Sequence, residues 1–286
     1  CVKRTRRARA RPASQRARPG PMGDEDELDE GAKLKIAGNF VMHSPPGQTQ
    51  KVVDDVKTLL GGSIGPSEVV EPMVAKVNSA NFLAVSVPGE NRQVLLTPFG
   101  DLGDGTFLDP KGQQKLVMDH VKQVCKRTDA LSPQQQASLE TTHRNEVDLA
   151  MSLYAADKLP DAVVTTYGVK TGNTIKITCC IGRCSLNLSN YWAGLWRSHW
   201  VLEFTDGSKS GKLSGTVRSN VHYFEDGNVQ LDDSTTFSCE LSGSNLAEAM
   251  AKKVEEYEME FNKGMEETYA TMSETVLQGL RRRLPV

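Results

Sequence analysis

The spacing of apolar residues in the N-terminal part of the chain predicts three short helices within residues 27–82. The first ends before Pro45-Pro46-Gly47, because proline lacks a backbone donor and clashes with the preceding turn. The second covers about 48–60 and is closed by Gly61-Gly62, which tolerates the left-handed conformation of a helix C-cap. The third covers about 67–81. Short loops join the three, so we predict an antiparallel three-helix stalk.

From Leu83 the apolar period changes from helical to alternating, which predicts a small β subdomain at 83–128. Candidate strands lie at 83–87, 93–97 and 116–119, and turn residues fill the Gly-rich stretches between them. A helix is predicted within 129–160, since Ser132-Pro133 combines an N-cap residue with a proline suited to the first helical turn.

Alternation continues through 161–243, where hairpin signals separate five candidate strands and indicate an antiparallel meander. Trp192, Trp196 and Trp200 lie at i, i+4 and i+8, and the latter two share one face of a strand. We interpret all three as core residues. The candidate strands are 163–167, 175–181, 196–204, 212–223 and 229–231.

The last segment, 244–286, predicts one long helix with an apolar stripe that includes Tyr257, Phe261 and Tyr269. A continuous helix here is roughly 60 Å long at about 1.5 Å per residue, which exceeds a small domain. Its charged residues, Glu258 among them, lie mostly off this stripe. Successive apolar residues of the stripe are spaced slightly further apart than one turn of the helix. The apolar face therefore winds around the helix axis, as packing across a twisted sheet requires. We predict an α+β fold in which this helix covers the antiparallel sheet.

Composition points to an ordinary globular protein, with 286 residues, 38% of them hydrophobic and 24% charged. The sequence has no apolar run long enough for a membrane span and no signal-peptide pattern, which predicts a cytosolic protein without a membrane partner. Residues 3–18 are strongly basic and the stretch after Met22 is acidic. A nucleic-acid-binding arm is one interpretation. We favour a disordered leader over 1–26, or an extension preceding a start at Met22, with nucleic-acid binding unlikely to be the function.

Candidate chemistry is sparse. Cys179, Cys180 and Cys184 lack the paired spacing and nearby histidines of a zinc site, and reduced thiols are expected without secretory context. Asp101, Asp104 and Asp109 could form a metal or acid/base cluster, but aspartate in Gly-rich turns more commonly bonds its own backbone. No nucleophile–base pair and no phosphate loop is recognised. We therefore expect no catalytic residue, no metal, no cofactor and no enzymatic activity.

Several long motifs in order carry a resemblance over about 27–286. The chain resembles the alpha subunit of the heterodimeric F-actin capping protein, and His43-Ser44-Pro45-Pro46-Gly47 is similar to that family's first interhelical loop. The other motifs are Phe99-Gly100-Asp101-Leu102-Gly103 with Phe107-Leu108-Asp109-Pro110, Asn190 to Trp200, Val221 to Leu231, and Leu280-Arg281-Arg282-Arg283-Leu284-Pro285-Val286.

The resemblance implies an obligate heterodimer with a beta subunit of the same fold, whose sheet joins this one edge to edge under crossed long helices. Trp192, Trp196, Trp200, Tyr257, Phe261 and Tyr269 are the expected core and subunit-interface residues. Pairing would remove an open sheet edge, which is a liability in a single chain.

The resemblance also implies calcium-independent binding to the barbed, fast-growing end of actin filaments, in the cytoplasm and cytoskeleton. Arg281, Arg282 and Arg283 are the expected actin-binding residues, since arginine can pair with the carboxylates of acidic actin. Cations near a helix C-terminus can instead merely complement its dipole. Family members continue past the position of Val286 with more basic residues and an amphipathic helix. A fragment, an incomplete gene model and a weakly capping variant are the alternatives, as is a scaffold subunit of a dynactin-type or ciliary assembly.

Overall fold

The computed structural model describes residues 3–4, 29–60, 70–225 and 229–271 of the chain. These ranges contain helices and antiparallel sheets in one α+β arrangement, which confirms the predicted fold class. The helices are α1 (Glu30–Met42), α2 (Thr49–Leu59), α3 (Val70–Ala80), α4 (Pro133–Ala137), α5 (Thr142–Lys158) and α6 (Leu246–Thr271). The strands are β1 (Lys3–Arg4), β2 (Ala84–Ser86), β3 (Gln93–Leu95), β4 (Asp101–Gly103), β5 (Thr106–Asp109), β6 (Gln114–Asp119), β7 (Val124–Ala130), β8 (Val163–Thr171), β9 (Thr174–Asn187), β10 (Trp192–Thr205), β11 (Ser210–Tyr223) and β12 (Val229–Ser242).

Helices α1, α2 and α3 form the stalk, and α1 packs against both of the others. Asp29 caps α1, its Oδ1 accepting a hydrogen bond from the Ala32 N–H at 2.6 Å. Valines fill the space between the helices, with Val53 and Val74 almost fully buried. Helix α2 is one residue shorter at each end than the predicted 48–60, and the predicted Gly61-Gly62 stop lies outside the described residues.

The small β subdomain has more strands than its apolar pattern predicted. β2 pairs with β3, and β4 to β7 form a four-stranded antiparallel sheet. The stretch 100–105 was predicted as turn only, yet β4 and β5 flank a tight turn at Asp104-Gly105 in which both residues have positive φ. Strands of three or four residues are too short for alternation to reveal, and β7 is mostly polar because one face is exposed.

The helical stretch predicted within 129–160 is two helices rather than one. Ser132 and Gln135 form a capping box at the start of α4, as the N-cap signal indicated. The chain then leaves the helix because Leu139 bridges to Val169 and the Glu140 N–H donates to the Gly168 carbonyl at 2.9 Å. This short segment extends the edge of β8, a tertiary contact that overrides local helix propensity.

The main sheet has six strands in the order β1-β12-β11-β10-β9-β8, and every pairing is antiparallel. Strands β9 to β12 have 14 residues each, far more than some of the predicted segments. β12 was predicted only to residue 231 because Asp232 and Asp233 interrupt its apolar pattern. The predicted turns at Gly172 and Gly207 are present, and both glycines have positive φ. The third predicted turn, at 226–228, lies outside the described residues.

Helices α5 and α6 cover one face of this sheet, which we call the upper face, and the largest apolar cluster lies between them and the strands. On the lower face, β3 packs beneath β8 and β9, where Tyr167, Leu95 and Cys180 form a smaller cluster. The lower face beyond β9 carries mostly polar side chains, such as Thr216 and Arg218. One face of the sheet is therefore packed against two helices, and the other is covered only in part.

Candidate protein interface

The aromatic residues predicted as core or interface meet where α6 crosses β10. Trp200 is fully buried and stacks on Tyr257 with ring centroids 5.9 Å apart and planes inclined by 8°. Trp196 is half-buried and packs edge-on against Phe261 at 5.3 Å. Trp192 is half-buried further along the same strand face, beyond these contacts. The stacked rings fix how far along β10 the helix lies.

A buried carboxylate adds a polar contact to the same junction. Glu258 of α6 is 2% exposed and accepts hydrogen bonds from Tyr154 Oη at 2.7 Å, Ser198 Oγ at 2.6 Å and Trp200 Nε1 at 3.1 Å. Burial raises the pKa of this carboxyl above its ordinary value, against the opposing effect of the three donors. The sequence pattern grouped Glu258 with charged residues that lie mostly off the apolar stripe, and the structure makes Glu258 an exception. The spacing of Met250, Val254, Glu258 and Phe261 places it on the buried face.

Arg197 joins the stalk to the sheet. Its guanidinium donates to the Ala80 carbonyl at 2.6 Å and Asn81 Oδ1 at 2.9 Å, at the end of α3, and it also contacts Asn220 Oδ1 on β11. Burial lowers the pKa of Arg197 to about 10, so it stays protonated at neutral pH. A cation that satisfies exposed helix-end acceptors holds α3 against the lower face of the sheet.

The aspartates of the Gly-rich turns serve the β subdomain itself. Asp109 is fully buried and accepts a bidentate pair from Arg92 at 2.8 and 2.5 Å, besides bonds from Gln114 Nε2 and the Gly112 N–H. Burial alone would raise the pKa of Asp109, but these donors lower it below its usual range. Asp101 Oδ1 accepts from the Gly103 N–H at 2.8 Å, the backbone turn expected from its sequence context.

Cysteines and possible metal ligands show no assembled site in the described ranges. Cys179 and Cys180 are buried on opposite faces of β9, and burial raises the pKa of both thiols. The pKa of Cys184 is raised in the same way. Among residues 29–60, 70–225 and 229–271, no three histidine, cysteine or carboxylate side chains are grouped as metal ligands. None of the helices described here is both long and apolar enough to cross a bilayer.

The outer edge of β12 is largely open in the described part of the chain. Only Lys3 and Arg4 pair with it, opposite Thr236 and Thr235. This short strand lies within the leader that was predicted to be disordered, where a basic stretch gives no strand pattern. Positions 229–234 and 237–242 of β12 have no neighbouring strand on that side in the described residues.

A second uncovered surface lies on the stalk. Ile36 and Phe40, four residues apart on α1, are 43% and 58% exposed, whereas Ala37 and Val41 on the adjoining face are buried. Tyr269, which was predicted as core or interface, is 45% exposed near the end of α6. Arg281, Arg282 and Arg283, the expected actin-binding residues, lie outside the described residues. Adjoining exposed apolar side chains such as Ile36 and Phe40 form the kind of surface that marks protein–protein interaction sites.

Comparison with known proteins assigns these features to a family. The family model for the F-actin capping protein alpha subunit matches residues 37–286. An F-actin-capping protein subunit alpha from Dictyostelium discoideum is 32% identical over 256 residues, covering 88% of this chain and 90% of the relative. One from Caenorhabditis elegans is 30% identical over 266 residues, covering 91% and 92%.

A solved structure shows the same fold. The homodimeric actin capping protein alpha subunit from Plasmodium berghei superposes with a TM-score of 0.66 at 18% identity, covering 82% of this chain and 90% of that one. The chain therefore belongs to the family of F-actin capping protein alpha subunits, a family of actin-capping, actin-binding cytoskeletal proteins rather than of enzymes.

Proposed function

We propose that this chain pairs with a capping protein beta subunit through the open edge of β12, and that the heterodimer caps the barbed end of actin filaments. The single observation that carries the pairing is the 14-residue β12, most of whose outer backbone groups have no neighbouring strand in the described residues. An exposed edge of this length promotes association unless another strand covers it. The apolar face of Ile36 and Phe40 supports the same conclusion, since a partner stalk would cover it.

Co-expression with a beta subunit tests the pairing. Ser238→Lys with Ser242→Lys adds two charges to exposed positions of β12 that have no neighbouring strand on the outer side, and Thr171→Lys with Asn173→Lys adds the same charge at the end of β8 and in the turn that follows it. Edge lysines hinder strand pairing, so we expect at least tenfold weaker association for the β12 variant only. A beta subunit that does not co-purify with the unmodified chain would refute the proposal.

A homodimer is the second candidate, because the Plasmodium berghei relative is described as homodimeric. An antiparallel edge strand can pair with its own copy about a two-fold axis, so β12 is suited to either partner. Sedimentation of the chain expressed alone separates the two: a stable dimer without any beta subunit would favour the homodimer, and aggregation rescued by the beta subunit would favour the heterodimer.

Capping itself rests on Arg281, Arg282 and Arg283, whose charge suits an acidic filament surface. Seeded elongation of pyrene-labelled actin measures it. Replacing all three arginines with alanine should weaken barbed-end inhibition at least tenfold, whereas alanine at the exposed Lys111, Lys122 and Lys209 should leave it unchanged. No inhibition by the unmodified heterodimer at micromolar concentration would refute capping and leave the dynactin-type or ciliary scaffold as the better interpretation.

Calcium independence is part of the proposal. Two carboxylates of the Gly-rich turns are engaged internally, Asp109 by Arg92 and Asp101 by the Gly103 N–H. Equal inhibition of elongation in calcium chloride and in a calcium chelator is the expected result. We place the heterodimer in the cytoplasm, at the ends of cytoskeletal filaments.

A further inference from the structure

The N-terminal segment of the chain meets the outer edge of β12 at one place. Lys3 lies opposite Thr236 and Arg4 opposite Thr235, and the pairing is antiparallel. Both residues belong to a strongly basic stretch, because the first 20 residues contain eight lysines and arginines and no acid. The edge that no other described strand covers is therefore met by a basic segment of the same chain.

Strand β12 carries charge of the opposite sign. Among its 14 residues Asp232, Asp233 and Glu240 are acidic and none is basic. Asp232 is paired with Arg218 of β11, but its side chain remains 48% exposed and can accept a second cation. Asp233 accepts a hydrogen bond from the Ser234 N–H at 2.9 Å and, within the described ranges, forms no ion pair. A basic neighbouring strand would be attracted to this part of the edge.

The register of the observed pair brings the two sets of charges together. Carried two residues further along the chain, it would set Arg6 opposite Asp233. The next residue, Arg7, would then lie opposite Asp232. Directly opposite residues of an antiparallel pair lie on the same face of the sheet, where unlike charges attract each other. The bases of the segment and the acids of β12 therefore match in register as well as in sign.

The length of the basic segment also suits the strand. Residues 2–11 contain no proline, so every one of them has a backbone N–H that a neighbouring strand can use, whereas Pro12 lacks this donor. In the observed register Pro12 would fall beyond Val229, the first residue of β12. The proline-free run therefore ends where the edge of β12 begins.

A cover of this kind is weak. An unlike-charge pair across two strands changes an equilibrium roughly 1.5- to 5-fold, and exposed pairs lie at the low end of that range. Two such pairs and a short ladder of backbone hydrogen bonds can occupy the edge. A longer partner strand that covers all of β12 can displace them.

We propose that residues 2–11 of this chain form an edge strand along the first part of β12 while no partner is bound, with Arg6 and Arg7 paired to Asp233 and Asp232. The segment shields an edge that would otherwise promote self-association. Its effect on partner binding rests on the pairing proposed above: a beta subunit that adds a strand to β12 must first displace the segment.

Disulfide trapping in the full chain, kept dilute and without its partner, tests the strand directly. The observed register would place Cys1 opposite Ser238, and directly opposite residues are about 4.5–5.5 Å apart at Cα, which suits a disulfide. Ser238→Cys should therefore form an intramolecular disulfide with Cys1 under mild oxidation. Ser242→Cys adds the same exposed thiol four residues further along β12 and should give roughly fivefold less product or lower.

Peptide mapping by mass spectrometry identifies the linked residues, and the unmodified chain measures the background from Cys239, which also lies in β12. Electrophoresis without reductant distinguishes a link within one chain from a link between two. No disulfide to Cys1 in the Ser238→Cys chain, an equal yield in the Ser242→Cys chain, or a link between two chains would each overturn the proposal.

Charge reversal tests the proposed ion pairs in the Ser238→Cys chain. Arg6→Glu with Arg7→Glu sets acids opposite acids, and Arg16→Glu with Arg18→Glu makes the same change in charge beyond Pro12. We expect the first double variant to lower the disulfide yield roughly three- to tenfold at low salt and the second to leave it within about twofold. Equal effects of the two double variants would contradict the proposed pairing of Arg6 and Arg7.

The rate of beta subunit binding measures the displacement separately. The Arg6→Glu, Arg7→Glu chain should associate roughly three- to tenfold faster than the unmodified chain, since its edge is less covered, and the Arg16→Glu, Arg18→Glu chain should not. Equal rates for all three would mean that the segment does not compete with the partner. A beta subunit that binds none of them would refute the pairing proposed above, whereas the disulfide yields would still decide whether the segment lies on β12.

Discussion

The buried carboxylate of Glu258 makes a sharp test of how α6 is held on the sheet. It is the shared acceptor for three donors that come from α5 and β10, so it joins three elements at one point. We predict that Glu258→Leu destabilises the fold strongly and that Glu258→Gln does so mildly. The difference in stability between the two variants shows whether the hydrogen bonds of Glu258, rather than its burial alone, stabilise the fold.

The magnitude follows from the donors that each change leaves behind. Leucine removes the acceptor of Tyr154, Ser198 and Trp200, and an unsatisfied buried donor costs roughly 1–3 kcal/mol. The two hydroxyls can rotate, and the cost of burying the carboxylate disappears, which offsets part of the loss. We expect about 3 kcal/mol for leucine. Glutamine keeps the Oε1 that serves Ser198 and Trp200 and disturbs only the contact with Tyr154, so about 1 kcal/mol is expected.

The dependence on pH has a definite sign. Burial raises the pKa of Glu258 in the folded protein above its ordinary value of 4.5. A carboxyl with a raised folded pKa contributes stability that is fully present below its unfolded pKa and is lost as the pH rises through the folded pKa. Glutamine does not titrate. The free-energy gap between the unmodified protein and Glu258→Gln should therefore be larger at pH 4 than at pH 7.

Urea unfolding followed by tryptophan fluorescence measures these differences, because Trp200 is stacked on Tyr257 beside the junction. Protein concentration must be held fixed, since association shifts apparent stability. Glu260→Gln, an exposed acid two residues along α6, is the matched control and should change little. A leucine variant within about 0.5 kcal/mol of the unmodified protein, or a gap that grows with pH, would refute the reasoning.

Three further predictions concern the rest of the fold. Arg197→Met leaves the acceptors at the end of α3 unpaired and should lower the free energy of unfolding in urea by roughly 2–3 kcal/mol. An unchanged urea midpoint would mean that Arg197 does not hold the stalk against the sheet. Gly215→Ala would drive its Cβ into the ring of Trp200 and should lower the thermal midpoint by several degrees, whereas Gly243→Ala, with its nearest neighbour at 3.8 Å, should be nearly neutral. Phe40→Glu should reduce co-purification with a beta subunit while leaving the chain's circular dichroism intact, because Phe40 is already 58% exposed.

Periodicity alone predicts the elements whose apolar pattern is long and regular. The stalk helices, the antiparallel meander and the long α6 each bury one face over several turns or residue pairs, so the pattern repeats often enough to be recognised. Strands β4 and β5 are too short for this. The start and end of β12 are polar because one of its faces is exposed, which makes a 14-residue strand look like a three-residue one.

The elements that sequence reasoning missed depend on contacts between distant residues. Residues 139–140 leave the helix because β8, some thirty residues further along the chain, offers them an edge. Glu258 turns inward because Tyr154 and Ser198 supply donors that its own helix does not contain. A charged residue on an amphipathic helix is normally exposed, and only the position on the Met250–Val254–Phe261 side could have indicated otherwise. At Glu258 the residue type indicated exposure, whereas its position in the helical repeat indicated burial, and the position in the repeat was correct.

The same physical rule connects the missed residues to the proposed partner. Inside the chain, Glu258 is paired with three donors, Asp109 with an arginine, and Arg197 with acceptors at the end of α3. Along most of β12 the described residues supply no neighbouring strand on the outer side, and on α1 Phe40 faces outward. The pairing proposed above would cover both the edge of β12 and the apolar face of α1, and it requires the partner to present a strand to β12.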